Sequence, residues 1–209
     1  MSLVLAADYR VPDFDRWWAM ISGDLHRLPS LGAHHLVVYR SLEDSSRVFT
    51  TLGVRERGPV DVLLRSPVLF AWFDSAGVTD IPPLFVGEVV EKFDLAEATA
   101  ASAQPGAMIV AAIVSVAELD RLRARVRRAA AGLAASGVRR FWIYQALDDQ
   151  AEVMILQEVA SERQAQQWIR HPAAVARFMS EAGVGAHPPL FVGRLVQTFE
   201  VPAAPRAPD

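Results

Sequence analysis

Apolar and polar positions along the chain follow two periods, and the switches between them mark the elements. Leu3–Arg10 is an apolar run of strand length. Asp13 then opens a stretch in which Phe14, Trp17, Ile21, Leu25 and Leu28 recur at helical spacing, the stripe of an amphipathic helix. An acidic residue in the first turn suits the positive end of the helix dipole. Gly32 stands where a left-handed stop belongs. Two β-rich runs, 34–41 and 47–54, are joined by the polar stretch 42–46, which reads as a hairpin. A second helix is predicted over roughly 57–76 and broken at Ser66-Pro67, because proline lacks an amide proton and restricts the residue before it. Gly77 ends that helix, and 84–93 forms a last strand.

The same order then recurs. Pro82-Pro83-Leu84-Phe85-Val86-Gly87 reappears letter for letter as Pro188-Pro189-Leu190-Phe191-Val192-Gly193, each copy following an Ala-Gly-Val. Gly32 faces Gly137, Tyr39 faces Tyr144, Asp44 faces Asp149, and Arg65 faces Arg170. The second set comprises a strand at Met108–Ser115, a helix opened by Glu118 and stopped by Gly137, strands at 139–146 and 152–159, a helix over 162–182 broken at His171-Pro172, and a strand at 190–199. The chain is a tandem duplication of a βαββαβ unit, the ferredoxin-like arrangement. The repeats are predicted at 1–95 and 107–201, with an Ala-, Ser- and Thr-rich linker at 96–106 and a disordered Pro/Ala-rich tail at 202–209.

Composition narrows the function classes. At 52% hydrophobic residues the chain can bury a sizeable core. A net charge of −3 gives no general attraction to nucleic acid or anionic membrane. There is no cysteine, which excludes disulfides, thiolate nucleophiles and cysteine-ligated metals. The first residues lack a basic region ahead of their apolar run, and no run approaches a membrane span, so a soluble cytoplasmic protein is expected. The Arg-rich stretch 121–128 has no interleaved aromatics and reads as a solvated helix face.

The hairpin strands are apolar on both alternating sets. Leu36 and Val38 match Phe141 and Ile143 on one face, while Val37 and Tyr39 match Trp142 and Tyr144 on the other. A ferredoxin-like unit covers only one sheet face with helices, and each large apolar side chain left in water forgoes about 1.5–3 kcal/mol. Two repeats packed sheet to sheet remove that exposure. In this order of elements, in the Val11-Pro12-Asp13-Phe14-Asp15-Arg16-Trp17 opening and in the Ser66-Pro67, Ala76-Gly77-Val78 and Pro82-Pro83 stretches, the chain resembles the dimeric α+β barrel superfamily. That superfamily includes the antibiotic-biosynthesis-monooxygenase-like domains. The resemblance implies an α+β fold in which both halves of a barrel are joined covalently.

A pocket between the repeats is expected to carry His35, Val37 and Tyr39 from one half and Arg140, Trp142 and Tyr144 from the other. His35 and Arg140 are the candidate catalytic residues, His35 because imidazole titrates near neutrality. Tyr39, Trp142 and Tyr144 are the candidate substrate-binding residues. The alternative is that these aromatics fill the interface and leave no cavity. No His-x-x-x-His or paired acidic motif suggests a metal, and no cofactor is implied. The resemblance also implies an asparagine acting with tryptophan and with arginine or histidine, and the chain contains no asparagine. Three readings follow. The first is a small-molecule enzyme of the monooxygenase-like type acting on an aromatic or hydrophobic substrate. The second is a non-catalytic ligand-binding or structural barrel. The third is a haem-binding protein, with His171 as iron ligand. A small hydrophobic ligand and self-association into a homo-oligomer are the expected partners; nucleic acid and membrane are not.

Overall fold

The structure, a computed structural model, describes residues 3–78, 82–95, 106–185 and 190–201. The expected linker 96–106 apart from Gly106, His187, the second Pro188-Pro189 pair and the expected tail at 202–209 lie outside the described residues. The first half runs β1 (Leu3–Arg10), α1 (Phe14–Asp24), a 3-10 helix (Leu25–Leu31), β2 (Ala33–Ser41), β3 (Arg47–Val54), α2 (Arg57–Leu64), α3 (Pro67–Ser75) and β4 (Leu84–Asp94). The second runs β5 (Met108–Ser115), α4 (Leu119–Ala135), β6 (Val138–Ala146), β7 (Glu152–Val159), α5 (Glu162–Arg170), α6 (Pro172–Glu181) and β8 (Phe191–Glu200). Both helix breaks fall at the predicted prolines. Among the described residues no helix is long and apolar enough to cross a membrane.

All strand pairings are antiparallel, and the strands close a barrel in the order β1-β3-β2-β8-β5-β7-β6-β4. Each half contributes one four-stranded sheet. The halves meet edge to edge where β2 pairs with β8 and β4 with β6. The duplication therefore covers the bare sheet faces and also removes both pairs of sheet edges, which would otherwise present unpaired backbone groups.

The glycines that end the repeated hexapeptide sit at these seams. Gly87 pairs with Ala146 and Gly193 with Ser41. A Cβ on Gly87 would lie 2.5 Å from the Gln145 carbonyl oxygen, and one on Gly193 would lie 2.8 Å from that of Arg40. Phe85 and Phe191, two residues earlier, fold their rings into the space beneath these glycines. Glycine is needed there because backbone and ring both approach too closely for a side chain.

Four apolar clusters result among the described residues, the smallest of them around Met108, Val110, Val159, Ala165 and Val192. One lies between the first sheet and its helices, around Trp17, Ile21, Val38 and Phe73. A second lies between the second sheet and α4 to α6, around Leu122, Val126, Phe141 and Ile143. The third fills the barrel interior, around Tyr39, Phe49, Phe85, Met154, Leu156 and Phe191.

The first helix departs from its predicted single stripe. Asp13 caps it, its carboxylate accepting from the amides of Asp15 and Arg16 at 3.0 Å. The α-helix nevertheless gives way at Leu25. Pro29 is the cause: it has no amide proton for the Leu25 carbonyl, and its ring crowds that carbonyl. The chain tightens into a 3-10 helix, none of whose residues is fully buried, and stops at Gly32 in the left-handed region (φ 66°). The counterpart helix has alanine where Pro29 stands and runs unbroken to Ala135.

Candidate functional site

Alternation along β2 and β6 places Val37, Tyr39, Trp142 and Tyr144 inside the barrel, as the sequence suggested. There they pack. Tyr39 lies 6.3 Å from Phe49, which lies 5.2 Å from Phe191. Burial raises the Tyr39 phenol well above its usual range, with Tyr144 and Glu158 adding to the effect and Arg140 opposing it. Burial pushes Tyr144 up to about 12. Both phenols are therefore neutral hydrogen-bond donors at ordinary pH.

Arg140 is committed to a neighbour. Its guanidinium binds the Glu158 carboxylate at 2.6 Å, with Glu158 almost wholly buried, and lies 5.1 Å over the Trp142 ring. His35 makes a different pairing. A β-bulge at Ala33/His35 brings both histidines over Gly53, and their Nδ1 atoms are 2.7 Å apart, so one ring donates and the other accepts. Burial first, then His34, lowers the His35 pKa, while Glu200 opposes the shift. Burial first, then Arg55, lowers that of His34, again against Glu200. The fold gives His35 and Arg140 different partners, His34 and Glu200 for the one and Glu158 and Trp142 for the other, and among the described residues no hydrogen bond or ion pair joins the two. It does bring Tyr39, Tyr144, Glu158 and Arg140 within electrostatic reach of one another.

The best-formed opening lies elsewhere, beneath the helices of the first half. It is a cavity of about 320 Å³ between the outer face of the first sheet and α1, the 3-10 helix, α2 and α3, and none of the five residues singled out above lines it. Its floor is Tyr9, Leu36, Val38, Thr50 and Leu52; Trp17, Leu28, Leu63, Trp72 and Phe73 close over it. Asp24 and Arg27 also contribute; they pair with each other at 3.4 Å and are partly exposed, which puts them toward solvent. The wall is thus mostly carbon, with three polar side chains in one region of it: Tyr9, Thr50 and Trp17.

Burial raises the Tyr9 phenol far above its usual range, and the neighbouring Thr50 and Trp17 groups only partly offset this. Trp17 Nε1 is near enough to favour the ionised form of that phenol slightly, yet it lies outside hydrogen-bonding geometry and is a buried donor without a partner. Such a group is uncommon in a folded core and calls for an explanation.

Among the described residues the second half has no equivalent. Leu36, Val38 and Thr50 are replaced by Phe141, Ile143 and Ile155, which are almost completely buried in one cluster with Val114, Leu122 and Val126. The depression that remains there, about 190 Å³, is lined by residues of α4 to α6 and their ends, among them Trp168, His171 and Phe178, and by no strand residue. His171 is exposed at the joint between α5 and α6. Among the described residues no group of three or more His, Asp or Glu side chains converges as a metal site requires. The Arg-rich face of α4 is largely spoken for: Arg123 and Arg127 bind Glu91, and Arg125 binds Glu181.

No protein-family model matches the chain, and no curated protein matches it in sequence. Solved structures do. An anthrone oxidase-like protein superposes with a TM-score of 0.67 at 13% identity, over 95% of this chain and 93% of that one. A ferredoxin-fold protein related to antibiotic biosynthesis monooxygenases, from Listeria monocytogenes, gives 0.52 at 7% identity over 94% and 95%. A monooxygenase-like protein from Listeria innocua gives 0.51 at 9% over 93% and 94%. These likenesses span nearly the whole of each chain, both halves of the barrel included. The chain has the dimeric α+β barrel fold of the antibiotic-biosynthesis-monooxygenase-like proteins, with both halves of the barrel in one polypeptide.

Proposed function

We propose that the protein binds and acts on a small aromatic or hydrophobic molecule in the cavity of its first half, as an enzyme of the antibiotic-biosynthesis-monooxygenase-like type with one site per chain. The observation that carries this reading is the asymmetry of the two halves. The cavity and the polar trio Tyr9, Thr50 and Trp17 occur together in one half, and both are absent from the other. An apolar enclosure with a few convergent polar groups is the usual form of a small-molecule site. In this reading Tyr39, Trp142 and Tyr144 fill the barrel, while Arg140 and His35 hold its strands through Glu158 and His34. The pocket sits under the helices and not between the repeats.

A second reading, a non-catalytic carrier using the same cavity, is favoured by one feature of the lining. It contains no histidine, and its only acid and only cation are the paired Asp24 and Arg27. No group there is suited to take a proton near neutral pH. The name of the anthrone oxidase-like neighbour supplies a probe that separates the two readings. Anthrone is incubated with the protein under air while dioxygen consumption and anthraquinone formation are followed. Turnover above the solvent rate, abolished by Trp72→Ala, supports the enzyme. Thermal stabilisation without turnover supports the carrier. Neither stabilisation nor turnover with any apolar probe removes both.

A further inference from the structure

We propose that the cavity selects a neutral, flat, apolar molecule carrying a hydrogen-bond-accepting oxygen, and that this oxygen is held where Tyr9, Thr50 and Trp17 meet. The inference rests on the cavity being the ligand site proposed above, and it adds the chemical class of the ligand.

Three observations support it. First, indole nitrogen can only donate, and Trp17 Nε1 is buried with nothing to donate to. A buried donor left unmatched is costly, and an oxygen entering that corner relieves the cost. Tyr9 mediates: its hydroxyl donates to the ligand oxygen, and a small shift of its ring on binding brings the hydroxyl oxygen into line to accept from Nε1. Burial keeps this phenol protonated, so it is available as a donor at every ordinary pH. Second, the lining offers nothing to balance a carboxylate or phosphate, since its single cation, Arg27, is already matched by Asp24. An anion would enter without compensation. Third, the counterparts of Tyr9, Trp17 and Thr50 are Val114, Leu122 and Ile155. All three polar groups are missing from the half that is filled, so they accompany the cavity and not the fold. The rings of Trp17, Trp72 and Phe73 in the wall favour a flat guest.

The test uses three probes of nearly one size, 9-fluorenone, fluorene and fluorene-9-carboxylate, titrated against the full chain by equilibrium dialysis. Fluorenone differs from fluorene by a carbonyl in place of a methylene. It is expected to bind roughly tenfold more tightly, the effect of about one well-made buried hydrogen bond. Tyr9→Phe keeps the ring and loses the hydroxyl; there the two probes bind alike. In the unaltered protein the carbonyl stretch of bound fluorenone falls below its value in alkane solvent, a readout that needs no variant. Equal binding of fluorenone and fluorene by the unaltered protein, an unshifted carbonyl stretch, or a preference that survives Tyr9→Phe overturns the inference while leaving the cavity as a ligand site. Carboxylate binding as tight as fluorenone overturns its neutral character. If neither fluorene nor fluorenone binds, the cavity reading fails and the inference fails with it.

Discussion

If three strand positions decide which half is hollow, transplanting them should close the cavity. The variant Leu36→Phe, Val38→Ile, Thr50→Ile gives the first sheet the floor of the second. It adds about five heavy atoms, on the order of 100 Å³, to a cavity of about 320 Å³. At about 24 cal/mol per Å³ of cavity removed, the gain is about 2 kcal/mol. Thr50→Ile also deletes the hydroxyl beside Tyr9, which returns about 0.5 kcal/mol of that gain. A net gain of about 1.5 kcal/mol corresponds to a melting temperature about 3–6 °C higher in a chain of this size. Fluorenone binding should fall below detection in the same variant. The assay is a thermal melt with and without fluorenone. A variant that melts lower and still binds with unchanged affinity would refute the reasoning, because the volume would then be neither empty nor the site.

Two further outcomes follow from the side chains that the sequence offered as catalytic, His35 and Arg140, and a third from the seams between the halves. His34 and His35 have folded-state pKa values below their unfolded ones, so the unfolded chain binds more protons as pH falls below about 6.5, and stability drops until both folded-state values are passed. Chemical denaturation at pH 7 and pH 5 should show this loss, and His34→Gln/His35→Gln should flatten it; an identical slope in the variant refutes the assignment. Arg140→Met strands the buried Glu158 carboxylate and should cost about 3 kcal/mol, whereas Arg140→Met/Glu158→Met recovers most of it and leaves fluorenone affinity unchanged; lost affinity in the double variant would return Arg140 to the site. Residues 1–95 expressed alone expose the β2 and β4 edges and the barrel-facing surface and should self-pair or aggregate on sizing columns; a stable monomer contradicts the account of the duplication.

The fold was largely legible because it is written twice. Each run checks its counterpart, and the proline breaks, glycine stops and hairpins fall at matching positions in both halves. The edge-to-edge seams were not legible, since β2–β8 and β4–β6 pairing depends on how two sheets curve toward each other. The role of the hexapeptide glycines at those seams, set by close approach to Gln145 and Arg40, was hidden for the same reason.

The cavity was missed through the choice of strand face. The conspicuous exchanges, His34-His35 for Arg139-Arg140 and Val37 for Trp142, lie on or near the barrel-facing set and draw attention there. The exchanges that shape the cavity are quieter: Leu36 for Phe141, Val38 for Ile143 and Thr50 for Ile155, on the helix-facing set. One signal was present in the aligned halves. Pro29 stands opposite Ala134, and a proline near the end of one helix, with none in its twin, marks where the covering layer changes form. The orphaned Trp17 nitrogen has no sequence signature, because a tryptophan at helical core spacing looks the same whether or not its N–H finds a partner.

The central claim is that one molecule binds per chain, beneath the helices of the first half. A crystal structure of the fluorenone complex tests it directly. The account predicts density for a single guest between the Tyr9–Thr50 floor and Trp72, with its oxygen toward the Tyr9 hydroxyl. Density between Tyr39 and Trp142 inside the barrel, or under α4 in the second half, would contradict it.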